Sequence, residues 1–137
     1  MGTAIAEGLI QSGFIDPGHI LITKRNISTL AGLEEKGVLV SNDNTEAVKF
    51  ADLVILAVKP FQVDEVLTSL RPLFDENRHV LVSVITGIST EHIHNVLNKK
   101  VSTVRAMPNT AIAIQQSMTC ISARNISSEQ LEYIKDI

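Results

Sequence analysis

Short apolar runs rich in β-branched residues alternate along the chain with stretches whose apolar residues recur every three or four positions, and turn residues separate them. This alternation predicts strands joined through helices, and hence a parallel sheet. Residues 3–12 place Ile5, Leu9 and Ile10 at helical spacing ahead of Gly13, a helix stop. Asp16-Pro17-Gly18 predicts a turn, residues 19–24 a strand, residues 28–36 a helix ended by Gly37, and residues 38–41 a short strand. A short helix is expected over residues 45–51, with Asn44 as its cap, leading into Asp52 and the run from Leu53 to Val58. Those six consecutive apolar residues fit a strand covered by helices on both faces, and Pro60 ends it. Residues 62–74 set Val63, Val66, Leu67 and Leu70 on one helical face. Further strands are expected over residues 80–85, 101–107 and 117–123, with a helix capped by Ser89 running to about residue 98. Ser127-Ser128-Glu129-Gln130 is a capping-box pattern that opens a last helix. The fold expected is α/β, a doubly wound, mostly parallel sheet with helices on both faces. It reads as truncated at both ends, because no strand precedes the first helix and Leu131 and Ile134 complete only part of an apolar face.

Composition narrows this picture. A length of 137 residues predicts one compact unit, and 45% apolar residues, 20% charged residues and a net charge of −3 describe a soluble globular protein without a nucleic-acid surface. No apolar run approaches the length of a membrane span, and no signal peptide opens the chain, so a cytoplasmic setting is expected. Cys120 is the single cysteine, which excludes an internal disulfide and a cysteine-built metal site; it is expected as a small buried residue of the last strand. His92 and His94 stand two apart on a helix and do not share a face, so no metal pair is expected, and His19 and His79 are expected to open strands.

Candidate chemistry lies where strands end. In a doubly wound fold, ligands bind outside the carboxyl ends of the parallel strands. Lys59-Pro60, Thr86-Gly87 and Pro108-Asn109-Thr110 each follow an expected strand, so three loops would line one crevice, with Gly87 admitting close backbone approach and the prolines stiffening their loops. Taken singly, each loop is better read as ordinary turn chemistry. The second expected strand of such a fold ends at the cofactor ribose, where an acidic residue suits NAD and cations suit a 2′-phosphate. Here it ends in Thr23-Lys24-Arg25-Asn26, with no carboxylate, which favours NADPH, with NADH as the alternative; an exposed basic turn is the other reading of Lys24.

Four segments in order resemble pyrroline-5-carboxylate reductases. Met1-Gly2-Thr3-Ala4-Ile5-Ala6 is similar to the end of that family's Gly-x-Gly-Asn-Met-Gly fingerprint, with Gly2 as the third glycine and the two earlier ones outside this numbering. Ala57-Val58-Lys59-Pro60 resembles its Ala-Val-Lys-Pro segment, and Ser83 to Ser89 its Ser-x-Ala-Ala-Gly segment, with Ile85 and Thr86 in place of two alanines. Arg105-Ala106-Met107-Pro108-Asn109-Thr110 resembles its Arg-x-Met-Pro-Asn-Thr segment, and Ala111 departs from a frequent proline. The resemblance implies that residues 1–137 are an incomplete Rossmann-like NAD(P)-binding domain, and that a helical C-terminal domain for substrate binding and dimerisation, and so for homo-oligomer formation, is absent. It implies cofactor contacts from Met1, Gly2, Thr3, Lys24, Arg25, Asn26, Asn44, Ala57, Val58, Lys59, Pro60, Ile85, Thr86, Gly87 and Asn109. For Asn44 the other reading is the helix cap. Asn109 and Thr110 are the implied catalytic-site residues, acting by hydrogen bonding near the nicotinamide and substrate rather than as acid or base. The implied reaction is hydride transfer from NAD(P)H to the C=N bond of 1-pyrroline-5-carboxylate, giving proline. The alternatives are a related NADP-dependent reductase with another substrate and a non-catalytic nucleotide-binding module.

Overall fold

The computed structural model describes residues 1–137, which form two compact units, Met1–Ala51 with Pro108–Met118, and Asp52–Met107 with Thr119–Ile137. Each has its own sheet.

The first unit opens with helix α1 (Gly2–Ser12), stopped by Gly13 in the left-handed conformation at φ 68°. Asp16 then accepts a hydrogen bond from the Gly18 N–H at 2.9 Å and closes a single 3-10 turn, Pro17–His19, so His19 belongs to that turn and not to a strand. A proline at the first position of a turn capped by aspartate commits the next residues to it, which delays the strand. Strand β1 (Leu21–Thr23) pairs in parallel with β2 (Leu39–Ser41). Between them lie a 3-10 turn, Ile27–Leu30, and the short helix α2 (Ala31–Glu34). Ala6, Leu30, Leu33 and Val38 form the core, with Ile10, Ile20, Ile22 and Val40 packed against it.

Helix α3 (Asn44–Phe50) corrects the expected cap. Asp43, not Asn44, holds its N-terminus, accepting from the Thr45 N–H and from the Thr45 hydroxyl at 2.8 Å each. Either residue suits the role by type, and the strand preceding them decides which one is in place. These two hydrogen bonds, backbone first and then hydroxyl, hold the Asp43 carboxyl below the usual carboxylate range, with a smaller contribution from Lys49. A carboxylate lowered on folding contributes stability above its unfolded pKa, and that contribution is lost as the pH falls through its folded value. Asp43→Ala is therefore expected to lower Tm near neutral pH, with the difference from the parent shrinking as the pH falls through the carboxyl's titration, in paired thermal melts.

The second unit carries a sheet of four strands in the order β3 (Leu53–Leu56), β4 (Val80–Ser83), β5 (Ser102–Met107) and β6 (Cys120–Arg124). The first three are parallel and β6 runs antiparallel to β5. Strands β3 and β4 stop short of their apolar runs, because the ladder between them pairs only Leu53–Leu56 with Val80–Ser83, and Val58 and Lys59 turn away toward Pro60. One face of the sheet packs Val80, Val82, Val104 and Ala106 against Ile134 of α6 (Ser128–Asp136), whose capping box on Ser127 and Gln130 is formed as expected. The other face is covered by α4 (Val63–Leu70) and α5 (Thr90–Leu97), the latter capped by Ser89, and His94 reaches Thr103 Oγ1 at 3.0 Å. Helices thus lie on both faces of a parallel-dominated sheet, the doubly wound arrangement. His79, just ahead of β4, is buried, and its Nδ1 accepts from the Asp75 N–H at 2.8 Å.

Cys120 does not meet its expected burial. Strand β6 is the edge of the sheet and all five of its residues are exposed, Cys120 among them. An apolar residue in a strand is buried only if a neighbouring layer covers it, and composition does not reveal which strand lies at an edge.

Candidate functional site

Within the first unit, α1 begins on Gly2 with no side chain capping its first turn and no acidic residue there. A helix start of this kind leaves N–H donors and a partial positive charge directed outward, both favourable to an anion. Strand β1 continues to Lys24, whose N–H donates to the Ser41 carbonyl at 3.0 Å. Lys24 and Arg25 are exposed, and none of the chain's ion pairs includes them. Asn26 is committed to its own turn, its Oδ1 accepting from the Ser28 N–H and hydroxyl at 3.2 and 2.7 Å. Asn44 is brought to the end of β1, where its Oδ1 accepts from the Thr23 hydroxyl at 2.6 Å.

The same unit includes the segment that follows β5. Asn109 caps a 3-10 helix over Thr110–Ile114, its Oδ1 accepting from the Ala111 N–H at 2.9 Å while its own N–H donates to Ser117 Oγ at 3.1 Å. Both Asn109 and Thr110 are exposed, and the Asn109 amide nitrogen is left to donate outward. This helix rests on α1 at Gly8, where an added Cβ would stand 2.4 Å from the Ile112 carbonyl oxygen. Gly8 and Ser117 position Asn109, and neither is among the residues expected from motifs. A glycine in the middle of a helix was a usable signal for Gly8, since that placement costs helix stability unless something approaches closely. Ser117 offered none.

Within the second unit, the loops after β3 and β4 stand side by side at the carboxyl edge of the sheet, because the two strands are in parallel register. Ala57 and Val58 are half-buried, and Lys59 and Pro60 are exposed. The Lys59 N–H donates to Gln62 Oε1 at 3.2 Å, which ties that loop into the turn Pro60–Gln62. After β4, Ile85 is buried with its N–H directed to Ser83 Oγ at 3.4 Å, so Ile85 can offer a ligand backbone rather than side chain. Thr86 and Gly87 are exposed, and Gly87 takes φ 82°, a conformation that disfavours any side chain. No group of three or more His, Cys, Asp and Glu residues stands where it could hold a metal ion, and no helix is long and apolar enough to cross a membrane.

Parallel strands with glycine- and proline-marked loops at their carboxyl ends, and a helix that opens on uncapped donors, define a nucleotide-binding α/β fold of the Rossmann type. The chain belongs to the family described as NADP oxidoreductase, coenzyme F420-dependent, whose model matches residues 1–87. It is similar to pyrroline-5-carboxylate reductase 1 of Dictyostelium discoideum, with 44% identity over 125 residues, covering 91% of this chain and 22% of that protein. The structure of a pyrroline-5-carboxylate reductase from Coxiella burnetii superposes with a TM-score of 0.91 at 32% identity, over 98% of this chain and 50% of that one. Plasmodium falciparum pyrroline carboxylate reductase, whose crystal structure has NADP bound, gives a TM-score of 0.87 over 99% of this chain and 49% of that one; at 20% identity this likeness shows the fold. The chain spans about half the length of these relatives, or less.

Proposed function

We propose that this chain is the cofactor-binding portion of a pyrroline-5-carboxylate reductase that uses NADPH. The observation that carries the reading is the placement of the Ala-Val-Lys-Pro, Thr-Gly and Pro-Asn-Thr residues: each lies within a few residues of the carboxyl end of β3, β4 or β5, and the polar or glycine member of each is exposed. The chain's residues fit the cofactor. Gly2 and Thr3 open a helix with donors suited to a pyrophosphate, and Lys24 and Arg25 are exposed cations suited to a 2′-phosphate. Met1 and Asn44 border those two places, while Ala57–Pro60 and Ile85–Gly87 offer backbone and small side chains to the rest of the molecule.

When bound, the nicotinamide supplies the hydride. The protein's part is to hold the imine and exclude alternatives. Asn109, fixed through its Oδ1 and its N–H, has an amide nitrogen left to donate, and the exposed Thr110 follows it at the start of the 3-10 helix. Neither is a proton donor of suitable pKa, so these residues orient by hydrogen bonding and the imine nitrogen carries its own proton. The same reading carries a cytoplasmic setting, and a homo-oligomer formed through a helical C-terminal part of the intact protein.

The test is NADPH oxidation by the intact protein, followed at 340 nm, with and without 1-pyrroline-5-carboxylate. Oxidation that depends on the imine and yields proline is expected. Turnover with 2-oxo acids but none with the imine would replace the substrate assignment.

A further inference from the structure

We infer that, on the cofactor-binding reading above, Thr23 is a positioning residue for cofactor choice. Its hydroxyl turns the Asn44 side chain into a pure hydrogen-bond donor, which suits the 2′-phosphate of NADPH better than the free ribose hydroxyl of NADH. Both residues belong to the first unit. Thr23 closes β1 and Asn44 opens α3, and the two half-buried side chains meet across 21 positions of sequence. The Thr23 hydroxyl donates to Asn44 Oδ1 at 2.6 Å, and neither side chain makes any other hydrogen bond. Asp43 already caps α3, so Asn44 has no capping task that would explain its placement.

An asparagine amide carries one acceptor oxygen and two N–H donors on its nitrogen. With Oδ1 held by Thr23, what Asn44 has left to offer is Nδ2, which has no partner in the chain. That polarity matters because the two cofactors differ at a single group. A ribose 2′-hydroxyl donates as well as accepts, and NAD enzymes meet it with an acceptor, a carboxylate. An ionised 2′-phosphate only accepts, so donors and cations meet it. Lys24 and Arg25 follow Thr23 directly and are exposed. The carboxylate next to Asn44, that of Asp43, is turned onto Thr45, its two oxygens accepting from that residue's N–H and hydroxyl. Without the Thr23 hydroxyl, the Asn44 amide is free to turn over and present Oδ1, which repels a phosphate and accepts from a ribose hydroxyl.

The test compares Thr23→Val and Thr23→Ser with the unchanged intact protein by fluorescence titration of NADPH and of NADH. Valine keeps the branched shape and removes the hydroxyl, and it is expected to weaken NADPH binding about 10-fold, the lower end for a charge-assisted contact. NADH is expected to stay within about twofold of its original Kd, and serine, which keeps the hydroxyl, to restore the preference for NADPH. An equal loss of both cofactors in the valine variant makes the pair a structural tie and overturns the assignment. An unsubstituted protein that prefers NADH sinks the NADPH reading itself, whereas a preference for NADPH that survives undiminished in the valine variant sinks only the role of Thr23. A measurement on the unsubstituted protein decides the matter even where the valine variant does not fold. The side-chain amide resonances of Asn44 are followed while adenosine 2′,5′-bisphosphate or adenosine 5′-monophosphate is added to saturation. A larger shift with the bisphosphate supports donation to the 2′-phosphate, and equal shifts or none overturn it.

Discussion

Gly8→Ala is expected to destabilise the protein, although helix propensity alone predicts the opposite. In the interior of a helix, alanine is favoured over glycine by about 1 kcal/mol. At Gly8 the new methyl would stand 2.4 Å from the Ile112 carbonyl oxygen and 3.3 Å from its carbon, both backbone atoms that cannot rotate away. Relief requires α1 and the 3-10 helix Thr110–Ile114 to separate, and overpacking of this kind costs roughly 1–3 kcal/mol. The steric term is the larger. A net loss of up to about 2 kcal/mol is expected, read as a lower urea midpoint with an unchanged slope. Activity should fall further than stability alone explains, because the displaced segment carries Asn109 and Thr110. An alanine variant as stable as the parent would show that α1 and this segment are not in contact in solution.

The second large effect concerns cofactor choice. Replacing both Lys24 and Arg25 with alanine is expected to weaken NADPH binding about 10- to 100-fold, the range for removing charge-assisted contacts to a phosphate at an exposed site. NADH, which lacks the 2′-phosphate, should bind within about twofold of its original affinity, so the ratio of the two Kd values isolates the effect. The loss should shrink as salt is raised, since both side chains are exposed and screening weakens their attraction. Fluorescence titration of each reduced cofactor at low and moderate ionic strength measures all of this. Tighter NADH than NADPH binding by the unsubstituted protein would sink the assignment at the outset.

Much of the candidate site was legible because its residues are defined by local chemistry. Pro60 and Gly87 mark loops whatever surrounds them, and a threonine-lysine-arginine-asparagine run without a carboxylate is a property of the chain alone. The assignments that failed depended on neighbours remote in sequence. Of the two readings of Asn44, the helix cap failed, because the structure places its side chain against Thr23, 21 positions earlier. Cys120 was read as buried, and its strand proved to be an edge. Arg105 matched a motif, but nothing along the chain reveals that its Nε is enclosed without a partner.

The sequence by itself determined the order of strands and helices, the stop at Gly13, the caps at Ser89 and Ser127, and the mostly parallel character of the sheet. These follow from propensity, periodicity and hydrogen bonds that span only a few residues. Only the tertiary structure decided that β6 lies at an edge, that Gly8 admits a carbonyl, that Asn44 serves β1 and that Arg105 stands unpaired between two serines. Those outcomes depend on which distant segments are brought together, and contacts of that range leave no periodic trace in the chain that makes them.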